Sequence, residues 1–216
     1  MQWPWQRRRS DSVRLGIARQ AGSYAAICLE KGSVTGSFPE QPGVAKDDLE
    51  SLGRWISSNK LTGAHVDWVL GRDDYHLHLA EAPAVSDEEL SDVLKFRLAE
   101  QPGFSPEEHV VQAFRLPEQA YHGRMSMAYA VAVEKHRINE LVSWCHSFQL
   151  TIGQISIREM AMLALLAEQE PETSVAILEF EDEKGSLSLF QHGALYLHRE
   201  LKVGLDVLSN ALVSES

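Results

Sequence analysis

No run of apolar residues in this 216-residue chain approaches the roughly 18 that a membrane-spanning helix needs, so a soluble fold is expected. Cysteine is scarce: Cys28 and Cys145 are too few for a disulfide framework. Their apolar surroundings predict a core strand and a core helix, with each thiol acting as a small buried hydrophobe. The first residues lack an apolar signal-peptide core, which points to a reducing, cytoplasmic setting. Basic charge is also short. Net charge is −11, so broad nucleic-acid binding is excluded, because neutralising phosphates needs a basic surface. No Walker motif, Gly-x-Ser-x-Gly turn or dinucleotide fingerprint is present, and no catalytic residue is assigned.

What remains is ordinary globular material, 44% hydrophobic and 24% charged. Residues 13–17, 24–29 and 33–38 alternate as three short strands, with Gly22-Ser23 turning the first into the second. Asp47 or Asp48 then caps a helix whose buried stripe is Leu49, Leu52 and Ile56. Strands are predicted at 65–70 and 75–79, and Gly71-Arg72-Asp73-Asp74 between them has hairpin chemistry. Ser86 and Glu89 form a capping box for a helix that places Leu90, Val93, Leu94 and Leu98 on one stripe. Strands at 110–116 and 124–133, a helix at 134–148, a strand at 151–157 and another helix follow. Strands near 174–180, 186–190 and 194–199 close the pattern, with a helical start at 204–212. Mixed strands and helices in this order give an α/β (α+β) fold.

The opening and closing strand clusters echo each other weakly. Three stretches then carry a resemblance. The head Arg7-Arg8-Arg9 leads into the strand Val13-Arg14-Leu15-Gly16-Ile17. The stretch from Tyr75 through Pro83 and Asp87-Glu88-Glu89 reaches Lys95-Phe96-Arg97 and Phe104-Ser105-Pro106. Finally, Ile155-Ser156-Ile157-Arg158-Glu159 steps from strand to helix, and Leu195-Tyr196-Leu197-His198-Arg199 ends the last meander. The ordered set resembles the actin-like cytoplasmic proteins of type IV pilus assembly of the PilM and MshI kind, the version from mannose-sensitive haemagglutinin pili (MSHA) above all. GspL-like cytoplasmic domains of type II secretion are the neighbouring family.

That resemblance implies an actin-like, ribonuclease H-like fold with a small α+β insertion and an incomplete second lobe. Either the chain continues past Ser216 or the second lobe is reduced. The expected division is a head at 1–11, a first lobe at 12–72, an insertion at 73–133 packed on that lobe, and the rest of the first lobe with the start of the second at 134–216. It also implies a scaffold at the cytoplasmic face of the inner membrane, with a PilN-like membrane protein and the assembly ATPase as partners. A nucleotide-dependent enzyme, a GspL-like recruiter of the secretion ATPase and an unrelated small-molecule module are the alternatives.

Actin-like ATPases grip phosphates with two β-hairpins, each carrying an aspartate and glycines that let backbone N–H groups approach. Here Ala18 stands where the first carboxylate is expected, with Gly22 and Ser23 either near a phosphate or in an ordinary turn. At the second hairpin Glu179 replaces the aspartate, but Phe180, Glu181 and Asp182 precede Gly185. Accumulated acid repels a phosphate. A chain that is no ATPase, with no cofactor and no metal, is the expectation.

His76 and His78 share a strand face, but no ligand spacing completes them, and a solvated face is expected. The head, Trp3, Trp5, Arg7, Arg8 and Arg9, has the composition of an interfacial anchor: tryptophan for the headgroup boundary and arginine for anionic lipid. Its alternative is a tail whose tryptophans pack on the domain. Residues 1–20 carry +4 (five arginines against Asp11), leaving −15 on the rest.

Overall fold

The computed structural model describes residues 13–20, 22–39, 48–120, 125–169, 173–181 and 183–214. Its residues fall into two compact units, each built from two stretches of chain: up to 74 with 136–157, and 75–135 with 158–216.

The first unit holds β1 (Arg14–Gln20), β2 (Ser23–Glu30), β3 (Ser33–Phe38), α1 (Leu49–Ser58), β4 (His65–Val69), α3 (Lys135–Ser147) and β8 (Thr151–Ser156). The strands form one sheet in the order β3-β2-β1-β4-β8. β1 pairs antiparallel with β2, and parallel with β4, which pairs parallel with β8. Because side chains alternate across a strand, Leu15 and Ile17 share a face with Val66 and Trp68, and all four are buried. Leu52 and Ile56 of α1 and Cys145 of α3 are buried in the same unit. Asp48 starts α1 by accepting the Ser51 N–H at 2.6 Å. Burial pushes the Cys145 thiol up to about 11, which leaves it inert at neutral pH.

The second unit holds β5 (His76–Glu81), α2 (Asp87–Leu98), β6 (His109–Arg115), β7 (Met127–Glu134), α4 (Arg158–Gln169), β9 (Ser174–Phe180), β10 (Gly185–Gln191), β11 (Ala194–Leu201) and α5 (Leu205–Ser214). Its sheets run β5-β7-β6 and β11-β10-β9. At the head of α2, the Glu89 carboxylate accepts the Ser86 N–H at 3.2 Å and its hydroxyl at 3.0 Å, the reciprocal arm of the capping box. Leu90, Leu94 and Leu98 of α2 are buried on Val111, Ala128, Ala130 and Ala132. Val93, on the predicted stripe, is only half-buried.

Two expectations change. Residues 71–74 do not join a hairpin, because β4 and β5 belong to different sheets. A 3-10 turn at Arg72–Asp74 replaces it, in which Gly71 N–H donates to the Asp74 carboxylate and Asp74 N–H to the Gly71 carbonyl, both at 3.0 Å. The inserted sheet is grouped with β9–β11, not with the first lobe. The reason is its second face: Tyr129 and Leu116 share a buried cluster with Leu163, Phe190 and Leu195.

Candidate functional site

At the first predicted hairpin, Ala18 sits in β1 opposite Ala25 of β2. Gly22 turns the chain at φ +81°, and Ser23 begins β2, exposed. No carboxylate stands among these positions.

In the second hairpin, Glu179 of β9 lies opposite Ser186 of β10. Its carboxylate accepts from Arg158 Nε at 2.5 Å and pairs with the same guanidinium's terminal nitrogen. Both side chains are largely buried, so the acid is neutralised within the hairpin's own unit. Repulsion of an anion there is weaker than acid content alone suggests. Asp182 lies outside the described residues.

Gly185 answers to packing. A Cβ there would sit 2.8 Å from the Glu179 carbonyl and 2.9 Å from the Val203 carbonyl, both backbone atoms that cannot rotate away. Gly185→Ala is therefore expected to cost about 2 kcal/mol, the scale of core overpacking, read as a lower urea midpoint. An unchanged midpoint would show that β10 shifts freely.

In the first unit, a polar cluster forms at the carboxyl ends of β1 and β4. Asp74 is buried. Arg19 of β1 ion-pairs with it, and Arg137 of α3 donates to the same oxygen at 2.6 Å. Arg137 also meets Glu140 at 2.9 Å. Burial alone would raise the Asp74 carboxyl, but hydrogen bonds from Arg137 and Arg19 outweigh it and hold it below the ordinary range. The bond to Asp74 raises Arg137 in return. Arg19 Nε is buried and has no hydrogen-bond partner.

Above this cluster is a cavity of about 80 Å³, walled by Tyr24, Trp68, Leu70 and Trp144. A wider groove of about 640 Å³ runs between α1 and α3 over Gly53, Trp144 and Phe148. Gly53 is what lets the helices approach: a Cβ there would lie 2.4 Å from the Phe148 ring. Leu49 and Trp144 line both spaces, so groove and cavity adjoin.

The second unit buries a different constellation. Glu159 of α4, 3% exposed, accepts the Tyr75 hydroxyl at 2.7 Å and faces His198 Nδ1 at 3.4 Å. Ser188 Oγ meets that same nitrogen at 3.0 Å. A Ser–His–acid relay needs the serine and the acid on opposite ring nitrogens. Here both face Nδ1, and Ser188 is 3% exposed, so the group clamps α4 to β10 and β11 and does no nucleophilic work. Tyr129 strengthens it, donating its hydroxyl to the His198 carbonyl at 3.3 Å and accepting the His198 N–H at 2.8 Å.

His76 is exposed, but His78 is half-buried, which corrects the fully solvated face. Burial, then His76 and His109, lowers the His78 imidazole, so it stays neutral at pH 7. Among the described residues no cluster of three metal-ligating side chains occurs, and no helix is long and apolar enough to cross a membrane. Trp3, Trp5 and Arg7–Arg9 lie outside the described residues.

Sequence signals for the unpredicted sites were thin. Asp74 is one of two acids in a turn, and its arginines lie 55 and 63 positions away. Glu159 and His198 fall inside stretches that carried the resemblance, but nothing local marks them as a pair.

No family model matches this chain, and no curated protein does. Solved structures do. A PilM-PilN type IV pilus biogenesis complex superposes with a TM-score of 0.66 at 16% identity, over 96% of this chain and 66% of that one. The cytoplasmic domain of EpsL, an inner membrane component of the type II secretion system of Vibrio cholerae, gives 0.60 at 15% identity over 95% and 76%. A Bacteroides thetaiotaomicron protein of unknown function with an actin-like ATPase fold gives 0.52 at 8% identity over 95% and 77%. The chain thus spans just under two thirds of the pilus protein's length. With these superpositions covering nearly all of it, the chain has the actin-like ATPase fold.

Proposed function

We propose that this chain is a non-catalytic, actin-like scaffold of an MSHA-like type IV pilus assembly machine at the cytoplasmic face of the inner membrane. It holds a cytoplasmic segment of a PilN-like membrane protein and passes that link to the assembly ATPase. The observation that carries the reading is the likeness to PilM over 96% of the chain, combined with Ala18 where a phosphate hairpin carries its carboxylate. A metal-bound nucleotide needs that oxygen for the hydrated cation. The basic, tryptophan-bearing head adds a weak hold on anionic lipid, about 1 kcal/mol for each arginine near the surface.

Two measurements test the reading. Co-expression with a tagged PilN-like protein should retain this chain on the tag through membrane solubilisation. Calorimetry with ATP–Mg²⁺ should give no binding tighter than about 1 mM and no turnover. Micromolar affinity with hydrolysis would replace the scaffold by an ATPase. The likeness to EpsL favours a second reading, in which the same domain recruits a secretion ATPase. Retention by that ATPase and not by the PilN-like protein would select it.

A further inference from the structure

We propose that the head of this chain docks on its own first unit: Trp3 and Trp5 insert into the groove between α1 and α3, where they are withheld from lipid. The inference goes beyond the scaffold reading and does not rest on it.

Position is the first argument. Residues 1–12 lie outside the described residues and join them at Val13, whose carbonyl accepts the His65 N–H at 3.2 Å. Arg14 lies opposite His65, and His65 opposite Thr151. Two strand spacings, about 10 Å together, therefore separate Arg14 from the start of β8. Phe148 precedes Thr151 by three residues, at most about 11 Å more. The chain leaving α1 arrives at the same end of the sheet, since Gly63 N–H donates to the Gln149 carbonyl at 3.2 Å. From Arg14 back to Trp5, an extended chain spans about 30 Å, so the indoles reach the groove with slack.

The groove selects an aromatic guest. Trp144 and Phe148 line it with ring centroids 4.9 Å apart, and Trp68 lies 5.6 Å from Trp144. This ring series begins at buried Trp68 and ends half-buried at the groove, on Trp144 and Phe148. An indole entering there continues the series, and aromatic pairs contribute beyond the area they bury. Glu50 and Arg54 offset each other at the rim, so apolar contact decides the fit. Pro4 restricts Trp3 to extended backbone, which lowers the ordering cost of docking.

Tethering favours the head over other occupants. A segment on a short linker is present at an effective concentration in the millimolar range, enough to fill even a modest site. Arg7, Arg8 and Arg9 are also drawn back by a chain that carries −15 beyond residue 20. A second copy has no tether, and a stable pair calls for about 800 Å² on each side. Docking has a functional consequence: lipid meets only the undocked fraction of heads, and the membrane hold weakens in proportion.

The test places a nitroxide on Gln2→Cys in the ¹⁵N-labelled chain; Cys28 and Cys145 are buried and escape the label. Line broadening is expected at the amides of Gly53, Ser57 and Phe148, and none at Leu187 or Leu197 of the second unit. Replacing both indoles, Trp3→Ala with Trp5→Ala, should return the groove amides to the broadening of an undocked head. Those substitutions precede β1, and the ¹⁵N spectrum itself reports whether both units remain folded. A labelled ¹⁴N chain mixed with an unlabelled ¹⁵N chain should give no broadening. Groove amides that stay sharp, or broadening that survives the double substitution, overturn the proposal. So does broadening in the mixed sample, which would assign the groove to the head of a second copy. Retention by the PilN-like protein is a separate readout, so this proposal and the scaffold reading fail independently.

Discussion

Asp74→Ala should lower the unfolding free energy by about 3 kcal/mol, because removing one partner of a buried ionic group strands the charges it held. The stranded groups are Arg19 and Arg137, which both bond the same carboxylate. The effect has a defined pH dependence. The folded-state carboxyl of Asp74 lies below its ordinary value, so its contribution is fully present above the unfolded value of about 3.9. It is lost as pH falls through the folded value. Urea denaturation should therefore show a constant gap between the wild type and Asp74→Asn from neutral pH down to about 5, narrowing below about 4. A loss under about 1 kcal/mol at neutral pH would put Asp74 with exposed surface pairs and remove its central place in the cluster.

Leu94→Ala is expected to cost about 3 kcal/mol, within the range for truncating a fully buried leucine. Leu94 is 1% exposed and sits between Leu90 and Leu98 on the alanine-lined face of β7. Those alanines have no reach with which to fill the space, so the cavity stays open. Val93→Ala, on the half-buried flank of the same helix, should cost about 1 kcal/mol or less. Limited proteolysis adds a spatial check: cleavage should accelerate first in the β5–β7–β6 sheet and leave β1–β4 protected. Equal costs for the two variants would mean that α2 rotates to share its burial.

Local chemistry was legible in the sequence wherever it decided the outcome locally. Asp48 and Ser86-Glu89 mark helix starts because the donors they satisfy lie within a turn of them. β9 begins and ends where its alternation does. The Gly71–Asp74 stretch misled for the same reason in reverse. Its composition suits a hairpin, and only Arg19 and Arg137, distant in the chain, turn Asp74 inward. Ser188, His198 and Glu159 are likewise brought together by β10, β11 and α4, whose mutual packing no short window contains. The groove depended on a similar conjunction. Gly53 in a helix reads as a weakness until Phe148 is placed over it.

The insertion also bears on the order in which this chain folds. Completing the first sheet requires β8 to find β4 across residues 70–150, about eighty of them. Closing an open loop of that length is entropically expensive, each doubling of length adding about 0.6 kcal/mol. The insertion begins with β5 and ends with β7, and these two strands pair directly, His76 opposite Ala132. Once β5 and β7 have zipped, the effective loop shrinks to residues 70–75 and 133–150, about 24 in all, a little under two halvings and roughly 1 kcal/mol of closure entropy. On a ribosome, the inserted sheet can form before β8 has been synthesised. It then acts as a staple in time: the late strand is delivered beside its partner by a piece of chain that has already folded.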